Sequence, residues 1–449
     1  MTDALADILD AVRERTTPTD GERERLASAA ERLVERTESA TADLPVEADL
    51  VRVGSTARGT WLPGDQDIDL FVRFPPDLPR EDLESLGLDV GHAVLPDGRA
   101  EFAEHPYVTG QFEGYDVDLV PCYRVRLATE ARSAVDRTPF HTAYVEAAIT
   151  PDLAADVRAF KRFLTACGIY GSDLRTEGFS GYLAELLVLE FGGVRPLIEA
   201  AADWHPPVEL DPEGHGARPF DDPLVVVDPT DPERNVAAVL SSTNLARLQH
   251  HARALLSEPS IERFEPAEPA PLDRATLERH LSRRRTTPLA LRFPAPDIVD
   301  DQLYPQLEKS LSNLAAELDR HGFPVFRSDA FADAHAVLLL EVAVVELPAV
   351  ERHAGPPVAV REHAESFYEK YAETDAYGPF IDDGRYVVER EREYTTARGC
   401  LEGTLHSVAL GPSIERAIEE RYDLLVGEDL IDLLPGFGTE LARYYDPSP

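Results

Sequence analysis

The sequence predicts an α+β protein of several domains, on three observations. The chain has 449 residues, beyond the length at which one hydrophobic core keeps growing. Its N-terminal part mixes helix-spaced apolar stripes with short strand-like runs, which makes an α/β unit with a mixed sheet. A Pro- and Glu-rich stretch at 257–272 then separates a mostly helical middle from a last part where strands and helices alternate again. The expected domains are 1–145, 146–270 and 271–449.

Each element has its own signal. Leu5, Ile8, Leu9 and Val12 fall at helical spacing. Thr19-Asp20-Gly21-Glu22 has capping-box form and opens a second helix, with Leu26, Ala30, Leu33 and Val34 as its buried stripe. Val51–Val53 reads as a short strand, and Gly54-Ser55 opens a brief helix. Residues 67–74 and 115–126 read as strands. Val157, Phe160, Lys161 and Leu164 share one helical face. Residues 181–191 are strongly apolar and, given their length, read as a buried helix. Leu224–Val227 reads as a strand, and 233–256 as a long helix introduced by Asp231-Pro232. Beyond the linker, Leu289, Leu291 and Phe293 alternate as a strand. Leu303, Leu307, Leu311, Leu314 and Leu318 make a helix stripe, and 324–327 and 336–345 read as two more strands. That β-α-β-β order suggests a small α+β domain. Residues 362–371 read as a helix, and a Gly378-Pro379 turn leads into an apolar-polar segment at 385–394.

Composition excludes several classes. No run of about 18 apolar residues occurs, so no membrane span is expected. The polar, acidic N-terminus does not read as a signal peptide. Cys122, Cys167 and Cys400 are far apart with no CxxC pair, which argues against a zinc site or a disulfide framework. The expected compartment is the cytoplasm. Net charge is −39, and Lys occurs only at 161, 309 and 370. The acids are spread along the whole chain and do not form one interaction tail. This pattern suits a protein of very salty surroundings. At molar salt the Debye length is only about 3 Å, so acidic self-repulsion is screened. Counterion release contributes little to nucleic-acid binding under those conditions. The charge therefore does not exclude an RNA partner recognised by shape, hydrogen bonds and stacking.

The chemistry lies in three carboxylates: Asp67 and Asp69 in Asp67-Ile68-Asp69-Leu70, and Asp118 in Val117-Asp118-Leu119. Strand side chains alternate, so Asp67 and Asp69 share a face. Hard divalent cations take oxygen ligands and keep water and phosphate in their shell. Two carboxylates on one strand, joined by a third from a neighbour, can hold two such ions for phosphoryl or nucleotidyl transfer. Gly54 lets the backbone approach a phosphate. Ser55 adds a hydroxyl at a helix start, and Arg58 shares its face three residues on. Gly54 to Gly59 resembles half a P-loop, but Thr60-Trp61 stands where Lys-Ser/Thr is needed. Asp67 and Asp69 could be plain surface acids, but the apolar Ile68, Leu70, Phe71 and Val72 bury their strand, and buried acids need partners. Asp116 competes with Asp118, since both point one way; Asp118 is preferred because Leu119-Val120-Pro121 continues the apolar strand.

Further matches narrow the reading. Gly54-Ser-Thr-Ala-Arg58-Gly-Thr-Trp61 followed by Asp67-Ile-Asp69-Leu-Phe71 resembles the nucleotidyltransferases of the polymerase-β superfamily. Val117-Asp-Leu-Val-Pro-Cys-Tyr123, Ile169-Tyr-Gly-Ser-Asp-Leu-Arg175, Gly178-Phe-Ser-Gly-Tyr182, Arg234-Asn235-Val236, Gly378-Pro-Phe380 and Arg385-Tyr-Val-Val388 extend the likeness over nearly the whole chain. Together they resemble the archaeal (class I) CCA-adding enzymes, a family of tRNA nucleotidyltransferases.

The resemblance implies a nucleotidyltransferase palm, a helical second domain, and a C-terminal ferredoxin- or RRM-like α+β domain with a helical tail. It implies template-independent addition of C, C and A to the tRNA 3′ end from CTP and ATP. Asp67, Asp69 and Asp118 would bind two Mg²⁺; the family often has Glu at the first position. Asp118 could also receive the hydroxyl proton, or serve as a metal ligand alone. Ser55 and Arg58 would hold phosphates, with Lys161 and Tyr170 closing on the triphosphate. His141 and Thr138 would lie near the ribose, although His141 alone would read as a structural histidine. Arg234 would face the base; its alternative is a helix-start arginine bound to Asp231. The Gly178–Tyr182 segment reads as helix packing. The 385–394 region and its neighbours would grip tRNA, and a homodimer stays open. The rival readings are a poly(A) polymerase or oligoadenylate synthase-like enzyme and a non-catalytic RNA-binding protein.

Overall fold

The computed structural model describes residues 3–102 and 105–449. It divides into two compact units, Met1–Ala267 with Pro449, and Glu268–Ser448.

The first unit opens with helix α1 (Ala4–Thr16), whose N-terminus is capped by Asp3. Helix α2 (Asp20–Thr41) starts at Thr19, where the Thr19–Glu22 capping box is formed in both directions. Strand β1 (Asp49–Val53), helix α3 (Gly54–Arg58), strand β2 (Ile68–Phe74), helix α4 (Arg80–Val94) and strands β3 (Arg99–Phe102), β4 (Pro106–Phe112) and β5 (Tyr115–Tyr123) complete the first layer. The sheet runs β1-β2-β5-β4-β3. Only β2 and β5 pair in parallel; their neighbours are antiparallel, so the sheet is mixed. Ile68, Leu70, Val72, Val117 and Leu119 face the core that α2 and α4 cover. Alternation then puts Asp69 and Asp118 on the other face. The fifth strand stops at Tyr123, short of the expected 126, where Asp136 accepts the Tyr123 N–H at 2.7 Å.

Next come helices α5 (Thr138–Ala148), α6 (Pro151–Ala166), α7 (Gly181–Phe191) and α8 (Val194–Ala202), and strands β6 (Val208–Leu210), β7 (Leu224–Asp228) and β8 (Asp231–Asn235). Helix α9 (Ser242–Ser257) closes this part. Helix α7 has the expected bounds and carries a wholly buried apolar stretch, Leu186–Val188. Leu5, Leu9 and Val12 of α1 lie in the same core as Val157, Phe160 and Leu164. The N-terminal helix therefore packs with the helical part.

One expected helix begins too early. Residues 231–235 are not helical; they form β8, which pairs antiparallel with β7. Asp231-Pro232 belongs to a hairpin, not to a helix start. Asn235 stabilises it by accepting the Val226 and Ala237 N–H groups at 2.8 and 2.9 Å. The helix cap is Ser241, whose hydroxyl accepts the Asn244 N–H.

The second unit begins with α10 (Arg274–Arg284), β9 (Thr287–Pro294), α11 (Asp300–Arg320), β10 (Val325–Ala332) and β11 (His335–Val342). It continues with β12 (Val350–Pro357), α12 (Arg361–Tyr371), β13 (Tyr377–Asp382), β14 (Arg385–Glu391), α13 (Ala397–Thr404), α14 (Pro412–Glu420), β15 (Asp423–Val426) and α15 (Leu434–Tyr445). One sheet runs β10-β11-β9-β15 and another β12-β14-β13. Every neighbouring pair in the first is antiparallel. The five leucines expected on α11 are all in its core. Gly378-Pro379 is not the expected turn. It lies within β13, where the register slips between Tyr377 and Phe380. The reversal falls at Asp383-Gly384, both with positive φ. Among the described residues, no helix is long and apolar enough to cross a membrane.

Candidate active site

Asp69 and Asp118 lie on the sheet face turned away from the main core, beside a smaller apolar cluster of Phe71, Val120 and Cys122. Asp69 and Asp118 are direct register partners on parallel strands. Asp67 departs from the expectation: it lies one residue before β2, not on the strand, and its side chain is only partly shielded from solvent. Thr56 donates to its carbonyl at 2.9 Å, tying the short helix α3 to the approach of this strand. Gly54 makes the closest approach. Its φ is +78°, and a Cβ built there would overlap the Asp69 carboxylate. Asp116 stands further out and pairs with Gln111.

These acids repel one another. Burial, then the charges of Asp118 and Asp67, push Asp69 up to about 7. Burial, then neighbouring acids led by Asp65, raise Asp67. Burial also raises Asp118, against a hydrogen bond from Thr109. Among the described residues, no three His, Cys, Asp or Glu side chains are drawn together tightly enough to cage a metal as they stand. The donor chemistry nevertheless fits a divalent cation. The oxygens belong to carboxylates, and the uncompensated charge that lifts Asp69 is what such an ion would neutralise.

A second cluster surrounds Glu185, fully buried on α7. Arg58 Nε lies 2.9 Å from its Oε2, an ion contact whose direction makes no hydrogen bond. Arg58 also donates to Thr142 Oγ1 at 3.0 Å. Lys161 Nζ lies 3.5 Å from Glu185 Oε1 and donates to the Thr60 carbonyl at 3.2 Å. The Thr60 hydroxyl donates to Glu185 as well. Burial lowers Lys161, while Glu185 works to keep it charged. Two cations thus share one carboxylate. Tyr170 and Lys161 meet over Gly181: a Cβ there would lie 3.2 Å from the Tyr170 hydroxyl and 3.5 Å from Lys161 Nζ. Ser55 lies in the first turn of α3.

A third cluster forms on Asp228. His141 Nε2 and Arg234 NH1 both reach its Oδ2 at 2.8 Å. Burial acts to raise Asp228, but the hydrogen bonds it accepts, first from His141 and then from Thr230, outweigh it and hold the group low. His141 stacks on Tyr182 at 4.2 Å. Arg234 sits on β8, not at a helix start, and its partner is Asp228. Asp231 is taken by Arg137 at 2.9 Å. Thr138 opens α5 one turn before His141.

Two groups here escaped the sequence reading: Glu185 and Asp228. An acid inside an apolar helix and an acid ending an apolar strand were the available signals, since such burial demands a partner. Tyr182, read as helix packing within the Gly178–Tyr182 segment, also stacks on His141.

Comparisons with known proteins agree along the chain. Residues 34–141 match the nucleotidyltransferase domain, 155–265 the tRNA nucleotidyltransferase second domain, and 284–427 the CCA-adding enzyme C-terminal domain. A CCA-adding enzyme of Haloarcula marismortui is 58% identical, with 100% of both chains covered. One of Halobacterium salinarum is 60% identical, again over 100% of both. One of Methanosarcina barkeri is 42% identical over 92% of each.

Proposed function

The chain belongs to the CCA-adding enzymes, and we propose from this that it adds C, C and A to the 3′ end of tRNA. It would do so from CTP and ATP, without a nucleic-acid template, releasing pyrophosphate, and in the cytoplasm. The observation that carries the reading is the register pairing of Asp69 with Asp118 beneath Gly54, in a chain related end to end to such enzymes.

Asp67, Asp69 and Asp118 would hold two Mg²⁺, which when bound lower the pKa of the primer hydroxyl and neutralise the triphosphate. The remaining work falls to the chain's own groups. Ser55 and Arg58 meet phosphate oxygens. Lys161 and Tyr170 close from the helical part. Support comes from geometry: Arg58 and Lys161 converge on the one buried carboxylate of Glu185, which gathers two phosphate-binding side chain types at one place. Burial raises Asp118 against the hydrogen bond from Thr109, and a carboxylate raised in this way is better suited to receive the proton of the primer hydroxyl. His141 and Thr138 bind the ribose and Arg234 the base.

The division of labour follows 1–145, 146–270 and 271–449 as catalytic, nucleotide-binding and tRNA-binding parts. The order β10-β11-β9-β15, with α11 crossing between β9 and β10, supports a ferredoxin-like reading of the last part. Its RNA contacts include the 385–394 segment.

The test is incubation of tRNA lacking CCA with single nucleotides and with both. Two C additions followed by one A are expected. Unlimited A addition would instead mark a poly(A) polymerase. Asp69→Ala should abolish incorporation; an unchanged rate would overturn the metal assignment.

A further inference from the structure

The Asp228 carboxylate has no exposed surface. A charge buried so deeply needs partners for both oxygens. Oδ1 accepts the Thr230 backbone N–H at 2.9 Å and its hydroxyl at 2.8 Å, which closes the turn between β7 and β8. That half is explained by the hairpin. Oδ2 is not. It accepts from His141 Nε2, which comes from α5, and from Arg234 NH1 on the returning strand, each at 2.8 Å. A turn needs neither group. The imidazole is also fixed from its face by the Tyr182 ring, 18° from parallel.

We propose that Asp228 is a positioning residue through which the enzyme reads the sugar and the base of the incoming nucleotide together. The inference rests on His141 and Arg234 lying beside that nucleotide. A neutral imidazole donating from Nε2 carries its lone pair on Nδ1. Nδ1 then accepts a hydrogen bond from the ribose 2′-hydroxyl and finds no partner there on a 2′-deoxyribose. Burial keeps His141 below the ordinary histidine range despite the Asp228 bond, which favours this neutral form.

Arg234 is tethered at one nitrogen, while its side chain keeps 37% of its surface exposed. The rest of the fork therefore projects as donors in a set direction. Cytosine and adenine offer a ring-nitrogen acceptor on the pairing edge where uracil and guanine carry N–H. A fixed donor meets an acceptor in the first pair and a donor in the second. A loose guanidinium could turn away from that clash. Because both contacts hang on one carboxylate oxygen, loss of its charge should loosen both readings at once.

The experiment compares kcat/KM for CTP, UTP and dCTP on tRNA lacking CCA, in molar KCl. The enzymes are wild type, Asp228→Asn, His141→Asn and Arg234→Gln. Asp228→Asn should lower both the CTP/UTP and CTP/dCTP ratios by about tenfold, the value of one hydrogen bond to a charged group. His141→Asn should lower only the sugar ratio and Arg234→Gln only the base ratio. Thr230→Ala, which touches only the turn side, should leave both ratios within about twofold. If Asp228→Asn slows all three nucleotides equally and keeps both ratios, Asp228 is merely structural and the proposal fails. If the His141 and Arg234 variants themselves keep both ratios, the placement of those residues beside the nucleotide is wrong, whatever Asp228 does. Should Asp228→Asn not fold, Asp228→Glu keeps the charge and shifts the oxygen by one methylene. Joint loss of both ratios there supports the coupling, and loss of neither or of one alone overturns it.

Discussion

The Asp69 carboxylate occupies the space where Gly54 would carry a side chain. The pairing of Val53 with Asp69 across β1 and β2 brings the next residue over that carboxylate. Gly54→Ala should therefore do two things. The left-handed φ of +78° costs about 1–2 kcal/mol with a Cβ, and the methyl displaces Asp69. A shift of about 1 Å in a reacting group costs about 100-fold in rate. Gly59→Ala is the control. Its φ is +70° with nothing within 4 Å of an added Cβ, so only the strain of about 1 kcal/mol applies. Single-turnover CMP incorporation and urea melts on both variants separate these effects. Equal loss of activity would show that turn strain matters and the Asp69 contact does not.

The elevated Asp69 predicts how metal binding responds to pH. Its metal-free folded value of about 7 lies above the roughly 3.9 of an unfolded aspartate. Between these values the folded chain holds a proton that the unfolded chain has released. Metal-free stability should then decline as pH rises across that window. A divalent ion needs the ionised carboxylate, so its affinity should climb from about pH 5 to about pH 7 and level off above. Mn²⁺ titrations at several pH values, with proton release followed in two buffers, check this. Affinity independent of pH below 7 would contradict the environment described for Asp69.

Glu185 serves two cations, so its removal should hurt more than removal of either. Glu185→Gln leaves Arg58 and Lys161 together in a buried place without a counter-charge. Breaking a buried pair in this way costs about 3–5 kcal/mol. Lys161→Met keeps the Arg58–Glu185 contact and should cost clearly less. Chemical denaturation at fixed high salt gives both values. The reverse order would mean that Lys161, not Glu185, organises the cluster.

The legible features were local. Thr19 and Glu22 announce their helix because a capping box is a contact within four residues. Asp69 and Asp118 were visible because alternation fixes a face wherever the other face is apolar. Asp231-Pro232 misled because the same pair suits a helix start and a hairpin. What decided was Asn235 accepting the Val226 N–H across the hairpin, a contact that local spacing cannot show. Arg58 was legible as a charge beside Ser55, but its partner Glu185 lies on a helix 127 residues further on. Contacts of that range follow from packing, and no local pattern encodes them.

The acidic surface leads to a last prediction. The chain carries 83 acids against 44 Lys and Arg. Of its lysines, Lys309 and Lys370 are exposed while Lys161 is fully buried. Surface positive charge is thus almost wholly arginine, much of it paired with acids, as in Arg32–Glu113 and Arg390–Glu351. These pairs cannot offset an excess of 39 negative charges. Molar salt shrinks the Debye length to about 3 Å, less than the spacing of most surface acids, and removes the repulsion. Melting temperature and turnover should rise together from about 50 mM towards molar KCl. The change should reach about 10 °C, at roughly 2–4 °C per kcal/mol for domains of this size. A chloride of a bulky organic cation at equal ionic strength should stabilise as well as KCl does if screening is the cause. Equal melting and turnover at low and high salt would show that the excess acid is tolerated without it.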